Sequence, residues 1–135
     1  MFTWPVRVYY EDTDLGGVVY YANYLRFMER ARTEWLRSLG YDQTDLWRDQ
    51  RLLFIITSAE VRYRQPARFD DLLCVTAELE SHRRTTVTFG QRIFRDDSRT
   101  ELLVEGTIQA ACVVADTFKP RVIPTELFAA MERDR

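Results

Sequence analysis

The chain has 135 residues, 46% of them hydrophobic and 30% charged, which suits one domain with a core that needs no disulfide or structural metal. Its 19 basic and 21 acidic side chains leave a net charge of −2, so there is no global attraction for nucleic acid. No apolar run approaches membrane-spanning length, so membrane insertion is not expected.

Residues 1–7 lack the charged segment and apolar run of an export signal, which places the protein in the cytoplasm as an expectation. Residues 3–11 alternate as a strand, with Pro5 acceptable only near its start or on a sheet edge. Glu11 to Gly17 is too polar and glycine-rich for the interior of an element. From about Tyr21 or Ala22 a long amphipathic helix follows. At 100° per residue Tyr24, Met28, Ala31, Trp35 and Leu39 form one stripe, flanked by Phe27, Leu25 and Leu36. Arg26, Glu29, Arg30, Thr33, Glu34 and Arg37 fall opposite, and Gly40 stops the helix where a left-handed residue is wanted. Asp42 or Thr44 can cap a short turn around Leu46 and Trp47.

From Leu52 the period changes to two. Leu53 to Ile56 reads as a buried run, and residues 60–64 alternate charged with apolar. Leu72 to Ser81 sets Val75, Ala77 and Leu79 on one face; Thr85 to Phe94 does the same with Val87, Phe89, Gln91 and Ile93. Residues 82–84 and 96–98 are turns between these strands. Leu102 to Ala115 is a long strand, apolar on both faces near Cys112, which predicts a central place in the sheet. Lys119 to Arg121 is an extended linker, and Pro124 opens a short terminal helix. Short turns make the late strands antiparallel. The fold class is therefore α+β, a single domain over 1–135 with one helix across a curved, mostly antiparallel sheet. Cys74 and Cys112 fall in separate strands and read as buried free thiols; with one histidine and no Cys-x-x-Cys, no metal site is expected.

The acidic loop carries the chemistry. Gly16 and Gly17 free the backbone for positive φ and for close approach to a ligand. Amides at the helix start, near Tyr21, carry unpaired N–H groups and the positive end of the helix dipole. A carboxylate at Asp14 facing them offers a base or nucleophile together with donors for an oxyanion, the needs of acyl-transfer hydrolysis. The competing reading is a solvated loop in which Asp14 makes an Asx-turn. Arg83, Arg84, Lys119 and Arg121 are basic side chains suited to phosphate contacts should the ligand carry phosphates. Arg62 and Arg64 read as a solvated strand face, Asn23 as a helix cap and His82 as a turn residue that would need a carboxylate partner and a pocket to be catalytic.

The run V-Y-Y-E-D-T-D-x-G-G-V-V-Y-x-A-N-Y-L-R-F-x-E-R-A-R-T-E-W-L, with Y-R-Q-P-A-R-F-D-D-L-L at 63–73 and K-P-R-V-I-P at 119–124, resembles the hot-dog-fold acyl-CoA thioesterases of the 4-hydroxybenzoyl-CoA thioesterase family. The likeness is greatest to the branch encoded with the bacterial Tol–Pal envelope system. It implies a helix wrapped by a five-stranded sheet. Asp14 takes the catalytic aspartate position, and the Tyr21 N–H matches the amide that polarises the thioester carbonyl. The resemblance supports a phosphate-contact role for Lys119 and Arg121. It also implies substrates that are acyl-CoA or acyl carrier protein thioesters, no cofactor apart from coenzyme A within the substrate, and a homodimer or homotetramer with sites between protomers. The Tol–Pal branch usually has histidine where this chain has Tyr21, so a side-chain role for that histidine does not transfer. A related dehydratase or hydratase would want a helix histidine that this chain lacks; a non-catalytic acyl-thioester binder or scaffold is the other alternative.

Overall fold

The protein is described from a computed structural model covering residues 1–134. Strands β1 (Phe2–Arg7), β2 (Leu52–Tyr63), β3 (Leu72–His82), β4 (Thr86–Phe94) and β5 (Leu102–Val114) form one sheet in the order β1-β3-β4-β5-β2. Every pairing in it is antiparallel. Helices α1 (Asn23–Ser38), α2 (Gln43–Gln50) and α3 (Thr125–Arg133) complete the fold.

Helix α1 crosses the sheet with its stripe inward, so that Tyr24, Phe27, Met28, Ala31, Trp35 and Leu36 are all buried. Leu25 points to solvent, contrary to its expected place beside the stripe. The facing wall is the period-two set from β3 and β4, with Val75, Ala77, Leu79, Val87, Phe89 and Ile93 buried beneath the helix. Helix and sheet come close enough at Gly106 that an added Cβ would lie 3.0 Å from Met28 Cε. Gln91 is the buried polar tie between the layers: its Nε2 donates to the Met28 carbonyl at 3.0 Å and the Thr76 carbonyl at 3.2 Å.

Gly40 adopts φ +93° and ends α1, and Asp42 caps α2 by accepting from the Thr44 N–H at 2.7 Å. Three expectations are corrected. The first strand ends at Arg7, because the chain turns through a 3-10 segment at Tyr10–Asp12 before the glycine loop. The β5 strand is interior, yet it lies one place from the edge and β4 is central. The run at Leu53 to Ile56 is not buried, since β2 is an edge strand and Ile56 is 50% exposed. Pro5 sits on the other edge, where its missing N–H breaks no ladder.

Candidate active site

Residues 12–20 fold back as a short antiparallel ribbon. Tyr20 N–H donates to the Asp12 carbonyl and Asp14 N–H to the Val18 carbonyl, each at 2.9 Å, with Thr13 opposite Val19 between them. The tip closes through Gly17, whose N–H donates to the Asp14 carbonyl at 3.0 Å from φ +77°, a conformation that favours glycine. Residues 67–69 flank the ribbon: Val19 N–H reaches the Ala67 carbonyl at 2.9 Å and Val18 bridges Arg68. Arg95 anchors this flank through Asp71 and through the Pro66 carbonyl at 3.0 Å.

Asp14 is exposed on this ribbon. Its Oδ1 accepts the Gly16 N–H at 2.9 Å, so the Asx-turn expected of a plain loop residue is present. Among the described residues, its second oxygen, Oδ2, accepts no hydrogen bond and faces solvent. The turn therefore orients the carboxylate without occupying it.

At the other end of the ribbon the chain enters α1 through Tyr21 and Ala22. No side chain caps the helix, and its first turn holds no acidic residue. The Tyr21 N–H meets no acceptor among the described residues. An uncapped, uncompensated N-terminus is what an oxyanion requires. Tyr63 holds the turn by donating its hydroxyl to the Tyr21 carbonyl at 3.0 Å. Tyr21, Tyr24 and Tyr63, with Val19, Arg64 and Pro66, line a cleft of about 240 Å³. Asp14 and the Tyr21 amide share one ribbon, Asp14 opposite Val18 and Tyr21 directly after the Tyr20–Asp12 hydrogen bond.

Asp12, left inside the polar loop by the sequence reading, and Asn23, read there as a helix cap, set this geometry. Asp12 is 5% exposed; its Oδ2 accepts the Tyr9 N–H at 2.8 Å and its Oδ1 the Asn23 side-chain amide at 2.6 Å. Asn23 thus does not cap α1 but ties the helix start to the ribbon. Arg64 borders the cleft while pairing with Glu105 at 2.8 Å, and that hydrogen bond holds the Glu105 carboxyl below its ordinary range. His82 does have a carboxylate partner, Glu132 at 3.3 Å, and lies against the Phe128 ring; it is not among the residues that line the Tyr21 cleft.

The basic candidates do not join Asp14. Arg83 and Arg84 lie in the β3–β4 turn, and Lys119 and Arg121 beside the end of β5, where Ile123 N–H donates to the Arg84 carbonyl at 3.0 Å and Arg121 N–H to the Cys112 carbonyl at 2.9 Å. Arg121 also donates a guanidinium N–H to the Gln50 carbonyl. These four residues gather at one end of the sheet, while the Asp14 ribbon packs where β2 ends and β3 begins. The 11 residues of β3 separate the two ends by roughly 30 Å.

Residues 16–102 match the family model described as the thioesterase superfamily. That span holds Gly16, Gly17, Tyr21, Arg83 and Arg84, and begins after Asp14. The chain is 46% identical to the acyl-CoA thioesterase YbgC of Haemophilus influenzae, over 96% of this chain and 93% of that protein. Its identity to the acyl-CoA thioester hydrolase YbgC of Escherichia coli is 44%, over 98% and 97%. A crystal structure of a probable thioesterase from Bartonella henselae superposes with a TM-score of 0.84 at 32% identity, over 90% of this chain and 98% of that one. The chain belongs to the thioesterase superfamily and has its hot-dog fold.

Proposed function

We propose that residues 1–135 act as one cytoplasmic thioesterase domain that hydrolyses acyl-CoA thioesters of short aliphatic or aromatic acids to the free acid and coenzyme A. The observation that carries this reading is a helix-start N–H without an acceptor on the same ribbon as a carboxylate whose Oδ2 is open. The thioester carbonyl places its oxygen against the Tyr21 N–H, which gains strength as negative charge develops there. Asp14 Oδ2 then follows one of two routes. It takes a proton from a water that attacks the carbonyl carbon, or it attacks that carbon itself to give a mixed anhydride that water cleaves. In both, the carbon–sulfur bond breaks and the thiolate of coenzyme A leaves. No metal or redox cofactor takes part, and an acyl carrier protein thioester could present the same group.

The phosphates of coenzyme A are assigned to Arg83, Arg84, Lys119 and Arg121, and this requires a second protomer. The exposed β2 edge is 12 residues long and unprotected by proline, a surface that sheets generally cover. Two copies related by a two-fold axis would pair these edges antiparallel. The Tyr63 end of one strand then meets the Leu52 end of the other, and the Asp14 ribbon of one protomer approaches the basic end of its partner. A homodimer, or a tetramer built from it, thereby closes each site from two chains.

The Asx-turn at Asp14 favours the competing, purely structural reading, so the test must separate charge from turn. Asp14→Asn does so, because the amide oxygen can still accept the Gly16 N–H. Thiol release is measured over short aliphatic, benzoyl and long-chain acyl-CoAs, with circular dichroism as the control. The expected result is a loss of about a hundredfold or more in kcat with folding unchanged. Activity that survives Asp14→Asn would return Asp14 to a structural role, and a wild type inert on every thioester would leave a binding or scaffold module.

A further inference from the structure

Farther along α1 from the Asp14 ribbon, a second cavity of about 130 Å³ lies between the helix and the Leu52 end of the sheet. Leu36, Phe54, Phe89 and Met131 give it apolar walls, and Arg32 and Glu29 stand at its polar side. Such a volume is close to that of an apolar protein cavity that admits benzene, so it accommodates a group of about six carbon atoms.

Arg32 satisfies the buried Gln91 side-chain oxygen and has donors to spare on the cavity side. Its guanidinium is partly buried and donates one hydrogen bond, Nη1 to Gln91 Oε1 at 2.8 Å. A guanidinium carries five N–H donors in a planar fork. Arg37, Arg48, Arg51, Arg64 and Arg95 each hold a carboxylate near the surface. Arg32 forms no ion pair among the described residues, although burial disfavours its charge. Glu29, one turn earlier, only offsets that effect from a distance. The Glu29 Oε1 instead accepts the Thr33 hydroxyl at 3.2 Å. No guanidinium nitrogen of Arg32 is both fully buried and without a partner among the described residues, so the donors it does not give to Gln91 are open to an anion that enters the cavity.

We propose that this cavity takes the far end of the acyl group and that Arg32 selects acyl chains of about four to six carbons ending in a carboxylate. The inference rests on the thioesterase reading and its two-protomer site. Edge pairing of β2 places the partner's Asp14 ribbon beside the Leu52 end, where this cavity lies. The thioester would then react at one protomer while the other reads the distal carboxylate.

Adipyl-CoA and hexanoyl-CoA have acyl groups of equal length that differ at the far end, so thiol release from the two is compared for the wild type, Arg32→Met and Arg32→Lys. The wild type is expected to favour adipyl-CoA by about tenfold or more in kcat/KM, chiefly through KM. Arg32→Met should abolish that preference while hexanoyl-CoA turnover stays within about threefold, and Arg32→Lys should restore part of it. Free adipate should raise the Tm of the wild type and not of Arg32→Met, a readout that needs no turnover. A wild type that prefers hexanoyl-CoA, or an Arg32→Met that slows both substrates alike, overturns the proposal. If neither thioester is hydrolysed, the thioesterase reading fails on its own account, and the adipate shift still decides whether Arg32 receives a carboxylate. Should Arg32→Met not fold, the wild-type preference and Arg32→Lys decide it.

Discussion

Asn23 is the first residue of α1, one place after the cap position, and its side-chain amide meets Asp12 and ties the ribbon to the helix start. Both residues are buried, so losing one leaves the other with unmet hydrogen-bonding groups. Asn23→Ala is expected to cost about 2–3 kcal/mol, read by urea or thermal unfolding, because the stranded group is a carboxylate. It should also lower kcat, since the Tyr20–Ala22 turn that presents the proposed oxyanion donor hangs on the same tie. The cysteines give an independent check on packing. Burial pushes the Cys112 thiol up to about 11 and raises that of Cys74 as well. At pH 8 both should therefore stay protonated and resist iodoacetamide until urea unfolds the chain, and rapid native labelling of Cys112 would contradict its placement.

At the scale of elements, what could be read from sequence was what is local. The stripe from Tyr24 to Trp35 fixes the buried face of α1 because side chains one helical turn apart share a face, and alternation in β3 and β4 fixes theirs. Local pattern is blind to which strand is an edge. Leu53 to Ile56 looks like an interior run, yet the sheet order leaves Ile55 37% exposed, because the apolar run lies on a strand with no neighbour on one side. The Asp12–Asn23 tie was illegible for a related reason: it joins residues whose meeting depends on how the ribbon folds back. If β2 is the pairing edge, a lysine there should act as it does on natural sheet edges. Ile55→Lys, at an exposed position, should leave the circular dichroism of the folded protomer unchanged. It should shift the particle mass toward the monomer in light scattering and reduce acyl-CoA turnover in step. A monomer that keeps full activity would remove the shared site from consideration.

At the scale of the whole molecule, the placement of charge decides how many chains make one site. The residues assigned to phosphate and those assigned to thioester cleavage in the proposal lie at opposite ends of the strands, roughly 30 Å apart, too far for one chain to offer both to the reacting end and phosphates of one ligand in that arrangement. The proposed two-fold pairing would resolve this by joining unlike ends, and that arrangement is open to complementation. Asp14→Asn removes the chemistry, and the double variant Arg83→Ala/Arg84→Ala weakens the phosphate contacts; each homodimer should be poor at low acyl-CoA concentration. Unfolded together in equal amounts and refolded, the two chains give about half heterodimers, each with one site that takes Asp14 and both arginines from intact halves. Recovery of about a quarter of wild-type activity is then expected, from subunits that are each deficient alone. If Asp14 and the arginines instead served a ligand within one protomer, no mixture could rebuild a site, and the refolded sample would stay at the level of its parents.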